Sequence, residues 1–285
     1  MERERKSLCS KVTSFLLAAV MMVSVIGIMP ENVSAADMVI LGKGTQSVQI
    51  PDASCFELTG VETYIQFKPA ATGYVTFKAS NISAIYNDTY GGMSLCNASK
   101  QVISEADEKY FTEMSDAKYT TITYGVKAKT TYYLRVKAMG GTQVTATFKK
   151  LKVNKKALNN RKKAKTISKG KSVKGVILAG DKKADWYKIK LTKSQKLKLS
   201  MTAKTSGGSA YSGIKVTFCK SNGKNFLSGY DSVIFASRSH SSDSATFIKR
   251  DVYTRKVYGI DAGTYYVKVE PYVTSSSGYY TLKWK

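Results

Sequence analysis

The residues best equipped for chemistry lie around the single histidine, in Ser237-Arg238-Ser239-His240-Ser241-Ser242-Asp243. A hydroxyl, an imidazole and a carboxylate are the ingredients of acyl transfer, but that chemistry needs the three groups to converge rigidly. A serine-rich flexible segment does not provide such rigidity, and no Gly-x-Ser-x-Gly elbow exposes a nucleophile elsewhere. The expected setting of His240 is a solvent-exposed loop. Zinc chemistry fails on donors, because one His and scattered Cys lack metal-site spacing. No glycine-rich phosphate loop follows a strand and opens a helix. Carboxylates cluster between Glu105 and Asp116, yet a glycosidase needs two of them opposed in a cleft, and consecutive exposed acids are ordinarily solvated. The sequence therefore reads as non-enzymatic.

The elements around these residues are strands. Tyr187, Ile189 and Leu191 alternate with Lys188 and Lys190; Leu197, Leu199 and Met201 alternate with Lys196, Lys198 and Ser200. Tyr265, Val267 and Val269 oppose Tyr266, Lys268 and Glu270, and Tyr280, Leu282 and Trp284 oppose Thr281 and Lys283. Period two with one apolar face marks half-buried strands, and two such sheets bury their apolar faces against each other as a sandwich. One short surface helix or loop is expected from Ser104 to Met114, and no convincing helix elsewhere in the exported chain.

The second half repeats the first with a period of about 120 residues. Tyr124-Gly125-Val126 through Thr131-Tyr132-Tyr133-Leu134-Arg135-Val136 matches Tyr258-Gly259-Ile260 through Tyr265-Tyr266-Val267-Lys268-Val269, with one residue inserted in the first copy. Tyr64-Ile65-Gln66-Phe67-Lys68 matches Trp186-Tyr187-Lys188-Ile189-Lys190, and Leu95-Cys96-Asn97 matches Phe218-Cys219-Lys220. Cys96 and Cys219 thus fall at equivalent core positions, which favours buried thiols. A disulfide between Cys55 and Cys96, the pair within one half, stays open.

The N-terminus carries Arg3, Arg5, Lys6 and Lys11, an apolar run from Phe15 to Met29, and Val33-Ser34-Ala35 as a small-residue cleavage site. This is the pattern of a secretory signal, and the run is shorter than the roughly 20 residues of a spanning helix. The expected product is secreted, extracellular or held non-covalently at the cell surface, with no transmembrane segment after cleavage. The expected organisation is a signal peptide over 1–35, a first sandwich over 36–150, a basic linker over 151–164 and a second sandwich over 165–285.

Removing residues 1–35 changes the formal net charge from +25 to +24, and only five of the remaining cations are Arg. Lysine is a hydrated point charge, whereas arginine is the fork for specific phosphate reading, so diffuse attraction to an anionic polymer fits and nucleic acid does not. Lys155, Lys156, Arg161, Lys162, Lys163 and Lys165 form the densest basic stretch. They read equally well as a polyanion contact or as a solvated spacer. Tyr133, Tyr266 and Tyr279 are candidates for stacking on sugar rings.

From Asn159 onward the motifs Gly170-Lys171-Ser172-Val173-Lys174-Gly175-Val176-Ile177, Gly180-Asp181, Asp185-Trp186-Tyr187-Lys188-Ile189-Lys190-Leu191 and Ala262-Gly263-Thr264-Tyr265-Tyr266-Val267-Lys268-Val269 appear in order, closing with Gly278-Tyr279-Tyr280-Thr281-Leu282. This half resembles the bacterial pre-peptidase C-terminal domain family, and the first half looks like a diverged copy. The resemblance implies an all-β chain of two tandem jelly-roll-like antiparallel β-sandwich domains with an accessory, non-catalytic role. Its expected partner is an anionic cell-wall polymer or polysaccharide, with a surface protein as the alternative. Some relatives bind calcium through acids in this region. Here Asp181 and Asp185 flank Lys182 and Lys183, a poor site for an ion that needs six to eight oxygens, so no cofactor is expected. Asp185 reads as a turn residue ahead of its strand.

Overall fold

The computed structural model describes residues 36–39, 44–50, 61–81, 90–105, 109–110, 120–138, 141–207, 213–227, 232–251 and 253–285. Residues 1–35, expected as an export signal, and Cys55 lie outside these residues. The first half contains β1 (Ala36–Val39), β2 (Gly44–Ile50), β3 (Val61–Phe67), β4 (Gly73–Asn81) and β5 (Tyr90–Cys96). It continues with β6 (Val102–Glu105), β7 (Lys109–Tyr110), β8 (Thr120–Val126), β9 (Tyr132–Ala138) and β10 (Thr142–Lys150). A short helix α1 (Lys155–Leu158) and one 3-10 turn (Arg161–Lys163) follow. The second half contains β11 (Lys165–Thr166), β12 (Ser172–Ile177), β13 (Asp185–Leu191), β14 (Leu197–Thr205), β15 (Ile214–Cys219) and β16 (Val233–Ala236). Next come β17 (Ser242–Phe247), β18 (Lys249–Arg250), β19 (Val257–Tyr258), β20 (Gly263–Pro271) and β21 (Gly278–Trp284).

Both halves have the same strand order. One sheet runs β2-β10-β4-β8 and its counterpart runs β12-β21-β14-β17; the other runs β3-β9-β5-β6 and its counterpart β13-β20-β15-β16. Numbered within each half, the sheets read 1-8-3-6 and 2-7-4-5, the jelly-roll arrangement of eight strands. The repeat matches in register as well, since Cys96 pairs with Tyr133 and Cys219 with Tyr266. One feature departs from a purely antiparallel fold. β1 lies parallel to β3, and β11 parallel to β13, because each leading strand adds to one sheet before the chain crosses to the other.

Alternation builds the cores as expected. Tyr187, Ile189 and Leu191 of β13 face Leu197, Leu199 and Met201 of β14 and Tyr280, Leu282 and Trp284 of β21 in one buried cluster. The first half has its own cluster around Phe67, Phe77, Leu95, Tyr124 and Leu134. Each buried Leu, Ile or Phe contributes roughly 1.5–3 kcal/mol, which is what holds the lysine-covered strands together.

Three expectations change. The basic stretch expected as a linker over 151–164 is folded: Asn154 and Asn160 each accept a hydrogen bond from a backbone N–H two or three residues on, which starts α1 and the 3-10 turn. Leu158 and Ile167 then bury in the second core, and Val153 packs against it. The Ser104–Met114 stretch carries strand at Ser104–Glu105, the end of β6, and at β7, not helix, among its described residues; 106–108 and 111–114 lie outside them. Tyr258 is not the counterpart of Tyr124. Tyr124 is buried opposite Val75, while Tyr258 is half exposed on a separate two-stranded hairpin, β18–β19, inserted after β17.

The two halves meet along the outer edge of β8. Gly125 forms a parallel bridge to Leu178, and its carbonyl accepts the Ala179 N–H at 2.9 Å. A Cβ at Gly125 would lie 2.0 Å from the Ile177 carbonyl oxygen, so only glycine permits this approach. Beside it the Tyr74 and Tyr279 rings stack at 4.6 Å, and the buried Ser104 hydroxyl donates to the Ser275 carbonyl while its oxygen lies 3.0 Å from Ser206 Oγ.

Candidate functional site

The outward face of β13, β20 and β15 carries the side chains that alternate with the core. Register sets Lys215 opposite Glu270 and Thr217 opposite Lys268. The Glu270 carboxylate takes both ammonium groups, Lys268 at 2.6 Å and Lys215 at 3.2 Å. Together with Asn225, Val233 and Tyr272 these residues line an open cleft of about 600 Å³. Lys215 also lies 5.9 Å from the Tyr272 ring centre, and Tyr272 packs edge-on against Phe235. The cleft offers donors, a shielded acceptor and an aromatic wall. That set suits hydroxyl and carboxylate groups of a polymer.

Next to the cleft, Trp186 and Tyr266 meet edge to face at 6.3 Å, with the Arg161 guanidinium 6.0 and 5.4 Å from their rings. The first half repeats this clamp with Tyr64, Tyr133 and Lys100, at 6.4, 4.8 and 5.5 Å. Its cation comes from the loop after β5, whereas Arg161 arrives from the segment ahead of β11. Cys96 and Cys219 sit on these outward faces, not between the sheets as expected, because they alternate with Leu95 and Phe218, which point into the cores. Both are nonetheless buried. Burial pushes the Cys219 thiol up to about 11, against the pull of Lys268 and Arg161. Native protein alkylated at pH 8 is therefore expected to leave the Cys219 peptide unlabelled by mass spectrometry until denaturant is added, since the thiolate is the reactive form. Labelling of the native protein at the denatured rate would contradict this burial.

The other expected site residues disperse. Lys156, Lys162, Lys163 and Lys165 are exposed, while Arg161 is committed to its clamp. Lys155 turns inward, its Nζ donating to Asp185 at 2.5 Å and to the Val176 carbonyl at 2.9 Å, which removes it from any polyanion surface. Tyr133 and Tyr266 are covered by cations, and Tyr279 is spent on Tyr74. Asp243 Oδ2 accepts the Phe235 N–H and Oδ1 its neighbour's, and Ser237 Oγ faces Ser239, so carboxylate, hydroxyl and His240 do not form a relay. Asp185 is no turn residue. It opens β13 fully buried, with Tyr280 donating to it at 2.7 Å and Tyr187 paired to Tyr280 at 2.8 Å. A Cβ at Gly175 would strike the Tyr280 ring, so that glycine lets the ring lie across β12 to reach Asp185. The Lys155 ammonium fills the place where a cation would meet Asp185 and the Val176 carbonyl, and calcium does not fit there.

Lys215, Lys268, Glu270 and Asn225 were missed. The alternation of β15 and β20 exposes them, but the cross-strand register that joins them is not readable from sequence.

No family model matches the chain, and no curated protein does. Among solved structures it is similar to the pre-peptidase C-terminal domain of a collagenase from Bacillus anthracis, at 17% identity, covering 43% of this chain and 94% of that one with TM-score 0.30. It is also similar to the tandem CBM22-1–CBM22-2 domains of Paenibacillus barcinonensis Xyn10C, at 9% identity over 85% and 91% of the chains, TM-score 0.23. The CUB1-EGF-CUB2 domains of rat MASP-1 match at 9% over 87% and 100%, TM-score 0.25. Among the described residues, no helix is long and apolar enough to cross a membrane.

Proposed function

We propose that the chain is an exported, non-catalytic binding protein whose second half takes a cell-surface or extracellular polysaccharide across the outward face of β13, β20 and β15. The observation that carries this reading is the Lys215–Glu270–Lys268 triad in an open cleft. Two ammonium groups fix the carboxylate as an acceptor, while each keeps donors for a sugar hydroxyl or uronate. Among the described residues Glu270 is the one carboxylate lining the cleft, held between two ammonium groups as an acceptor. Residues 1–35 serve as the export signal, 153–164 belong to the second sandwich, and that half is a relative of the pre-peptidase C-terminal domains.

Lys215→Ala with Lys268→Ala is expected to lower retention on insoluble cell-wall polysaccharide on the order of a hundredfold, for two charge-assisted hydrogen bonds lost. The difference should persist above roughly 0.5 M salt, where screening falls to a few ångströms. Retention unchanged in the double variant would remove the cleft from the function. No retention at any salt would turn the function toward a protein partner.

A further inference from the structure

The hairpin inserted after β17 has no counterpart in the first half, where residues 127–131 join β8 directly to β9; in the second half the connection runs from 248 to 262. The hairpin is a built element. Lys249 pairs with Tyr258 and Arg250 with Val257. Asp251 closes the turn, its Oδ1 accepting the N–H groups of Tyr253 at 3.0 Å and Thr254 at 2.7 Å, which hold its carboxyl below the ordinary range. The Asp251 N–H donates to the Lys256 carbonyl at 2.9 Å, and Arg255 takes a left-handed φ of 60°. At the base, Lys249 is ion-paired with Asp261.

This element presents an unusual surface. Tyr253 is 95% exposed, Tyr258 50% and Val257 40%, three of the five exposed large hydrophobics among the described residues. Arg250, Arg255 and Lys256 are exposed beside them, and the hairpin's acid, Asp251, is turned to its own backbone. Two of the five arginines beyond residue 35 are concentrated here, in a chain that otherwise uses lysine. A hydrated polyanion rewards the cations but leaves a tyrosine tip and a valine in water. A lipid surface takes both, with the phenol at headgroup depth and guanidinium forks on phosphates.

We propose that the β18–β19 hairpin docks on a bilayer bearing anionic phospholipids, Tyr253 and Tyr258 entering the headgroup layer while Arg250, Arg255 and Lys256 engage lipid phosphates. One hairpin gives weak, salt-sensitive attachment, with each cation contributing about fivefold at the surface. The site is separate from the polysaccharide cleft and does not depend on it.

The test is flotation of the protein with vesicles of phosphatidylcholine and phosphatidylglycerol at 70:30, against phosphatidylcholine alone. Flotation is expected with the first and not the second. Arg250→Gln with Arg255→Gly, which respects the left-handed turn, should lower the partition roughly 25-fold for two charges. Tyr253→Ser should weaken it severalfold with no change in melting temperature. Lys162→Gln with Lys163→Gln removes equal charge from the exposed 3-10 turn and should leave flotation within about twofold of wild type. The cleft variant should still float. Equal losses in the two charge variants would show diffuse attraction and overturn the proposal, as would undiminished flotation of the hairpin variant or no flotation of the wild type.

Discussion

Lys155→Met is expected to destabilise the second sandwich by about 3–5 kcal/mol, the usual result of leaving one partner of a buried ion pair alone. Asp185 is fully buried, and its remaining partners, the Tyr280 hydroxyl and the Asn159 amide, carry no compensating charge. Burial raises the Asp185 carboxyl above the ordinary carboxylate range, and Lys155 opposes that rise. Removing Lys155 therefore raises it further. A carboxyl with a raised value binds its proton more tightly in the folded state, so its contribution to stability falls as pH climbs from the unfolded value through the folded one. The loss in Lys155→Met should be largest near pH 7.5 and shrink toward pH 4.5. Thermal melts at the two pH values check this, with a drop on the order of 10–20 °C at the higher one. Adding Asp185→Asn should recover part of the loss, because a neutral amide can still pair with Tyr280. Equal melts for Lys155→Met and wild type at both pH values would mean that the pair does not form.

Gly125→Val should separate the sandwiches without unfolding either. The new side chain would collide with the Ile177 carbonyl and with Val176 Cγ2, 2.6 Å from the added Cβ. Relief requires β8 to withdraw, costing about 1–3 kcal/mol of overpacking relief at the contact together with the Ala179–Gly125 hydrogen bond and the Tyr74–Tyr279 stack. Small-angle scattering should show a larger radius of gyration, and trypsin should cut faster between Lys149 and Lys152. A single melting transition should become two. Unchanged scattering and one transition would place the coupling of the halves elsewhere.

The strands of the second half were legible because Tyr187, Ile189 and Leu191 alternate with lysines so cleanly that only one face can be buried. The duplication was legible where equivalent strands kept their register, at Cys96 and Cys219, and misleading where the hairpin intervenes, at Tyr258. Local similarity there outlived spatial equivalence. Asp185 was misread because its partner Lys155 lies thirty positions upstream, inside a run of cations that looks uniform by charge. Nothing in Asn154-Lys155-Lys156 distinguishes an inward lysine from an outward one; that depends on how α1 packs over β13. The cleft escaped for a related reason, since Lys215 and Glu270 meet only through the pairing of β15 with β20.

The antiparallel pairing of β12 with β21 has a mechanical consequence. Ser172 lies beside Lys283 and Ile177 beside Gly278, so these two strands run in opposite directions as neighbours. In the first half β2 and β10 are related in the same way, with Gly44 beside Phe148. A tensile load pulling Ser172 and Lys283 apart would open the ladder from one end, rupturing its hydrogen bonds one after another and never sharing the force among them. Such a fold yields like a zipper at low force. A ladder loaded across those ends is poorly suited to serving as a load-carrying tether.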